Sequence, residues 1–508
     1  MNIGTVITRS CKHFAGKTAL VSEDKTYTYR EVNQRVNKLA NSLAGLSLKK
    51  GDRVALLMHN CGEFIESDFA LAKAGLVRVA LNVRLTASDH KYVLEDSGAS
   101  ALIFQSSFAE MVIEQAPQLE SVRYYICIGD KKGPYIGYED LIRSSSAAEP
   151  ETAVSEDDLY ALMYTSGTSG KPKGVMHTHK SFLAMAFNLL LERDIRRNDR
   201  MLHVAPLTHA SGSWVLPHFA RGAVNYTLTR FDLELLLQTI QDHRITTVMM
   251  VPTMILRLLA YPGIDSYDLS SLRSVIYGGS PMPLEKLREA VQRFGSIFSQ
   301  NFGQTEALTT ITYLPGEYHR LDGGPEEIKK LSSAGYPYLK VAVKVVKEDG
   351  SEVIPGEPGE IILKSDHMMK GYWKNEHGTR EKIVDGWLYT GDVATVDEEG
   401  FICIVDRKND LIISGGFNIY PREIEEVLHM HPSVNQAAVV GVPDDEWVEA
   451  VKAFVVLKKN HSLSENELKL FCRRHLAGIK VPKSIEFLEQ LPLSPYGKVL
   501  KRELKQIR

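Results

Sequence analysis

Short apolar runs alternate with amphipathic stretches through the first four hundred residues of the chain. "RVALLMH" (53–59), "TTVMMVP" (246–252) and "SVIYGG" (274–279) read as buried strands. "LELLLQTIQDH" (233–243) and "PLEKLREAVQRFG" (283–295) read as helices, the second with Leu284, Leu287 and Val291 on one face and Pro283 at its first position. Strands alternating with helices imply helix-covered, mainly parallel sheets.

The texture changes after about Ser333. "VAVKVVKEDGSEVIPGEPGEIILKS" (341–365) is strand and turn, with an Asp-Gly turn signal. "FICIVDRKNDLIISGGFNIYPREIEEVL" (401–428) then reads as strand, polar break, strand, glycine pair and a helix opened by Pro421. The remainder continues as short strands and two helices. These patterns predict a large α/β N-terminal domain over 1–408, with a β-rich part, and a small α+β C-terminal domain over 409–508.

Composition narrows the class. The chain has 508 residues, 44% hydrophobic and 24% charged, with a net charge of −3. At about 100–200 residues per domain, that length suits two to four domains. Nothing in the charge balance calls for a nucleic-acid partner. Five scattered cysteines lack CxxC spacing, so neither a zinc site nor a disulfide framework is expected, and a reducing cytoplasm is. The start "MNIGTVITRSCKHF" has no apolar core of a signal peptide. The most apolar window, "TTVMMVPTMILRLLAY", is interrupted by Pro252 and Arg257, so no membrane span is expected.

The candidate chemistry starts at "YTSGTSGKPKG" (164–174). A GxxxxGK[ST] phosphate loop is excluded, because Gly167 precedes Gly170 and Lys171 by too little and Pro172 follows the lysine. The ingredients of anion binding remain: glycines that free backbone N–H groups, the hydroxyls of Thr165, Ser166, Thr168 and Ser169, and the charges of Lys171 and Lys173. Apolar "LYALMY" before it and amphipathic "HKSFLAMAFNLLLER" after it predict a strand–loop–helix. Composition alone equally allows a flexible Gly/Ser connection.

Further segments, in order, lift that ambiguity. "YTSGTSGKPKGV" resembles the signature loop of the adenylate-forming superfamily, which comprises acyl- and aryl-CoA synthetases, firefly-type luciferases and peptide-synthetase adenylation domains. "PLTHASG" (206–212) resembles its acyl-pocket segment, and "YGGSPMP" (277–283) and "NFGQTEA" (301–307) its adenine and metal segments. "YTGD" (389–392) resembles the ribose motif, "DRKNDLIISGGFNIYPREIE" (406–425) the hinge and thioester segment, and "SPYGKVLKREL" (494–504) the catalytic-lysine motif.

The resemblance implies two half-reactions. A carboxylate and ATP give an acyl-adenylate and pyrophosphate; the thiol of coenzyme A then gives the thioester and AMP. It implies that Thr165, Ser166, Gly167, Thr168, Ser169, Gly170 and Lys171 cradle the departing phosphates, and that Thr305 donates to the α-phosphate. Glu306 would ligate Mg²⁺, a hard cation suited to carboxylate and phosphate oxygens. Adenine would lie among Gly278, Gly279, Ser280, Asn301, Phe302 and Gly303; the family commonly has Tyr where Phe302 stands. Asp392 and Arg407 would hold the ribose. Lys498 would stabilise charge during adenylation. Gly415, Gly416 and Phe417 would line the pantetheine tunnel after rotation about Asn409, where the family most often has Asp or Lys. His209 would gate the acyl carboxylate.

The implied acyl wall comprises His209, Ser211, Trp214, Met249, Val251, Gly279 and Ala307. It carries no carboxylate to pair an amino-acid substrate, so a fatty or aromatic acid is expected. Trp214 either caps an aromatic pocket, gates a longer tunnel or packs in the core. A homodimer is compatible with the resemblance, as are carrier-protein loading, a luciferase-like oxidation or a silent nucleotide binder. The HxH pairs His177/His179 and His429/His431 have no third ligand in view and are not expected to hold metal.

Overall fold

The computed structural model describes residues 1–23, 25–130, 133–165, 172–414, 417–444, 447–493 and 499–507. The strands found among them make four sheets, two large and two small.

The first large sheet has eight strands in the order Gly371–Tyr372, Lys173–Thr178, Leu159–Thr165, Val77–Ala80, Arg53–Leu57, Ala101–Gln105, Tyr124–Ile128 and Ile136–Gly137. The second has nine, in the order Tyr336–Pro337, Thr312–Leu314, Phe298–Phe302, Ser274–Gly278, Thr247–Met250, Arg200–His203, Val224–Thr227, Thr18–Ser22 and Lys25–Thr28. Both are parallel through their middles, the eight-stranded sheet being antiparallel at one edge and the nine-stranded sheet at both. Their strands read as continuous apolar runs because helices cover both faces. One contiguous core joins the two sheets through helices such as Gly62–Ala74, buried along nearly all its length.

The parallel register of the second sheet matters most for function. Met250 pairs with Tyr277, and Gly278 with Asn301. Three strands therefore end together, and the segments after them (Val251, Gly279 and Gly303 onward) leave at one sheet edge. In open α/β sheets that carboxyl edge is where ligands bind.

A five-stranded antiparallel sheet follows, built from Ala342–Val346, Gly359–Lys364, Ile383–Val384, Trp387–Val396 and Ile402–Arg407. The last sheet is formed by Ile412–Ser414, Phe417–Ile419, Val434–Asp444, Val448–Leu457 and Ser484–Phe487, packed by helices Pro421–Met430 and Glu465–Arg473 around a separate core.

Several expectations are corrected. The signature loop is not strand–loop–helix. Its second arm is a strand, Lys173–Thr178, antiparallel to Leu159–Thr165, and the helix His179–Glu192 starts only after it. The physical reason is local. Within "KGVMHT" Gly174, Val175 and His177 are buried and the other positions half-buried, and Thr178 then closes the strand by capping the helix reciprocally with Ser181. The strands that flank the loop therefore pair with each other as two antiparallel arms. Pro283 is the N-cap, and the helix runs Leu284–Phe294. The apolar window divides at Val251 into strand Thr247–Met250 and helix Pro252–Leu259, because Pro252 suits a first helical turn. The strand predicted at 53–59 ends at Leu57.

Candidate functional site

The carboxyl edge of the nine-stranded sheet gathers the expected adenine and metal segments. Gly278 packs so closely on its neighbour that an added Cβ would lie 2.2 Å from the Asn301 carbonyl oxygen. Gly279 turns the chain with φ of +84°, a conformation that favours glycine. It is exposed, whereas Phe302, Gly303, Gln304, Thr305 and Glu306 are half-buried around it. Gly303 is equally constrained, since its Cβ would lie 2.4 Å from the Thr309 backbone.

Thr305–Ala307 forms one 3₁₀ turn, and its fixation comes from other elements. The Thr305 carbonyl accepts from His177 Nε2 at 2.7 Å. The Glu306 carbonyl accepts from the Met369 N–H at 2.8 Å, and its carboxylate Oε1 accepts from the Tyr372 hydroxyl at 2.7 Å. Burial, followed by the facing Glu306 charge, pushes the Tyr372 phenol well up, so it stays a donor. Lys173 Nζ stands 5.2 Å over the Tyr372 ring, tying the end of the signature loop to the Glu306 carboxylate through one side chain.

Asp392 reaches the same turn from the five-stranded sheet. It is buried, and its Oδ2 accepts from Gln304 Nε2 at 3.4 Å. Arg407 faces it across the pairing of Trp387–Val396 with Ile402–Arg407, with Nε 3.3 Å from Asp392 Oδ1. Its side chain remains 55% exposed.

Other expected residues stand elsewhere. Asn301 is buried, and its amide donates to the Tyr338 hydroxyl at 2.8 Å while Arg193 donates to its oxygen. Its side chain serves the packing behind the sheet edge. Ser211 is fully buried and bonds His203 Nδ1 at 3.0 Å, with His203 Nε2 2.9 Å from Asn225 Oδ1. Trp214 is 1% exposed, beside His218 and the Arg193 guanidinium, so of its three readings it takes core packing. Met249 and Ala307 are buried too, whereas His209 and Val251 are half-buried, with the His209 ring 2.7 Å from the Thr208 hydroxyl. Phe417 is exposed on the last sheet. Ser280 is half-buried beside Gly279, and Thr165 ends its strand opposite Lys173. Ser166, Gly167, Thr168, Ser169, Gly170, Lys171, Gly415, Gly416 and Lys498 lie outside the described residues.

No cluster of three His, Cys, Asp or Glu side chains suited to a metal ion occurs among the described residues. His177 and His179 are both fully buried, the first spent on the Thr305 carbonyl. No helix of the described residues is long and apolar enough to cross a membrane. Sequence reasoning missed His177, Gln304 and Tyr372. His177 carries no local signal, because the carbonyl it bonds lies 128 residues away. Tyr372 lies 66 residues from Glu306, with no spacing rule to join them.

Comparison with known proteins shows the family. Residues 7–373 match the AMP-binding enzyme model and residues 423–498 the model of its C-terminal domain. A feruloyl-CoA synthase of an Amycolatopsis species is 39% identical over 96% of this chain and 95% of its own length. The medium/long-chain-fatty-acid–CoA ligase FadD8 of Mycobacterium tuberculosis is 35% identical over 99% of this chain and 89% of its own. The crystal structure of the anthranilate CoA ligase AuaEII with anthranoyl-AMP superposes with a TM-score of 0.91 at 28% identity, covering 100% of this chain and 97% of that one.

Proposed function

The chain belongs to the AMP-binding enzyme family and is an acid–thiol ligase, and from that premise we propose that it activates a fatty or aromatic carboxylic acid with ATP and transfers it to coenzyme A. The observation that carries this reading is the meeting of Gly279, the Thr305–Ala307 turn and the buried Asp392 at one sheet edge, linked by Gln304.

The acid's carboxylate oxygen forms a bond to the α-phosphorus of ATP, and the bond to pyrophosphate breaks. An anion approaches a polyanion, so positioning and charge stabilisation supply most of the rate. Asp392 would accept both ribose hydroxyls, as two carboxylate oxygens can, with Arg407 beside it. The Gly278–Ser280 backbone and the Phe302 ring would flank adenine. Thr305 would donate to the α-phosphate, the 166–171 loop would hold the departing phosphates, and Lys498 would stabilise the developing charge. Glu306 presents a single half-buried carboxylate already sharing Oε1 with Tyr372, which suits a Mg²⁺ carried mainly on phosphate oxygens and water. Bound there, the ion would neutralise phosphate charge.

In the second step the coenzyme A sulfur forms a bond to the acyl carbon, and the bond to AMP oxygen breaks. The 409–508 domain would turn about Asn409, withdrawing Lys498 and presenting the 415–417 segment. Phe417 and Ile413 stand 55% and 49% exposed on that sheet, which supports a face that meets another surface in one half-reaction. The domain division and the hinge are part of this proposal.

The aromatic end of the acid range has the better support. Trp214, Met249 and Ala307 are buried, whereas Val251 and Ala210 are half-buried and Gly279 is exposed, which supports a compact acid resting near the last three. The test is a panel from benzoates and cinnamates to C8–C16 fatty acids, assayed for pyrophosphate and for thioester with and without coenzyme A. Pyrophosphate without thioester would point to another acceptor. A preference for long chains would overturn the compact pocket, and inactivity with every acid would count against the ligase reading.

A further inference from the structure

His177 does no chemistry in this reaction, yet it stands at a junction. Its strand, Lys173–Thr178, leaves the signature loop and also pairs with Gly371–Tyr372, which carries the tyrosine bound to Glu306. The facing turn has little structure of its own. Thr309 adopts a φ of +55°, and the segment depends on donors from outside. The Thr305 carbonyl, placed between the hydroxyl and carboxylate that face the nucleotide, receives its bond from His177 Nε2.

The surroundings of His177 hold it as a neutral donor. A carbonyl only accepts, so Nε2 must carry the proton, and Nδ1 faces the Ser181 hydroxyl at 3.2 Å. The ring is fully buried, and burial, followed in the same direction by the Arg78 charge, lowers its pKa to about 4. Arg78 is itself buried, paired with Asp68 at 3.0 Å and stacked between Tyr160 and Phe182. Phe182 in turn lies edge-on to the His177 ring at 5.8 Å.

We propose that His177 is a positioning residue for adenylation: its Nε2–H fixes the Thr305 carbonyl and so couples the signature-loop strand to the Thr305–Glu306 turn. This rests on Thr305 and Glu306 facing the nucleotide. Binding energy can hold ATP with the turn loose, but reaching the transition state needs hydroxyl and carboxylate in place together. The loss on removing the bond is therefore expected in kcat, with KM little moved.

Three variants test it: His177→Leu, His177→Asn and His177→Gln. The Gln amide nitrogen reaches about as far along the side chain as imidazole Nε2, while the Asn amide falls short. Pyrophosphate release should slow about tenfold in the Leu and Asn variants, with KM for ATP changed less than about threefold, and His177→Gln should recover most of the rate. Thermal unfolding of the folded variants reports packing separately, and the Asn–Gln pair keeps the test valid should His177→Leu fail to fold. A wild-type kcat in His177→Leu, or Gln no faster than Asn, would overturn the proposal. Wild-type turnover in Thr305→Ala and Glu306→Ala would bring down the nucleotide-facing reading itself, and this proposal with it.

Discussion

The two ends of the proposed nucleotide cradle are built differently. The Thr305–Ala307 turn is gripped by groups from the neighbouring sheet and its flanking segment: an imidazole, a backbone N–H and a phenol, bonding at 2.7 to 2.8 Å. None of these donors is charged, and the imidazole is fully buried. The proposed ribose end depends on a charged pair. Asp392 is buried, but Arg407 is half in water and approaches it only to 3.3 Å. Hydrogen bonds from uncharged donors inside protein hold geometry with little dependence on salt; an exposed ion pair is weak and readily exchanged. The difference teaches which parts are permanent. The half-buried turn is anchored to the large sheets through the buried His177, while Arg407 stands two residues from the proposed hinge and Lys498 lies beyond it.

The sharpest way to break this contrast is at its mobile end. Lys498→Ala is expected to slow adenylation by about a thousandfold while leaving thioester formation from supplied acyl-adenylate near its normal rate. Single-turnover release of pyrophosphate and of AMP measures the two separately, and equal slowing would show Lys498 serving both halves. Asp392→Ala should cost about a hundredfold in kcat/KM for ATP, because it removes the carboxylate from both ribose and Gln304. An unchanged kcat/KM would remove Asp392 from the site.

Acid should find the core end before the exposed one. Burial lowers His177, His203 and His319 to about 4 and His367 to about 3, against an ordinary value of 6.5. The unfolded chain takes up protons below about 6.5 that the folded protein refuses. Stability is therefore full above that value and falls as the pH drops toward 4. At pH 5 each such imidazole accounts for at most about 2 kcal/mol. Melting temperature should drop clearly between pH 7 and pH 5, and a flat profile would mean these rings titrate normally. The smallest effect is expected at Arg407. Arg407→Ala should raise KM for ATP about fivefold and change stability by less than about 1 kcal/mol. A marked loss of stability on denaturant unfolding would make the pair a structural one.

The legibility of these two ends in the sequence also differs. Asp392, Glu306 and Thr305 stand inside short, ordered motifs, so the local sequence was enough to name them. The signature loop was named as well, but its setting was misread. Six residues of strand hide between the loop and the helix because "KGVMHT" is short and leads directly into an amphipathic run. His177 and Tyr372 carry no local mark. Their partners lie 128 and 66 residues away, and only the pairing of two strand segments brings them to the turn.

What the amino-acid order determined alone was therefore whatever depends on neighbours along the chain: the strand–helix alternation, the capping of helices, the change to a small α+β texture and the family motifs with their reactive side chains. Tertiary structure decided what depends on neighbours in space. It turned Ser211 and Trp214 into the core, ended three parallel strands at one edge and set a buried histidine against the carbonyl of Thr305. The reason is physical. A motif encodes chemistry in a few adjacent residues, whereas its rigidity comes from hydrogen bonds and packing whose partners the fold alone selects.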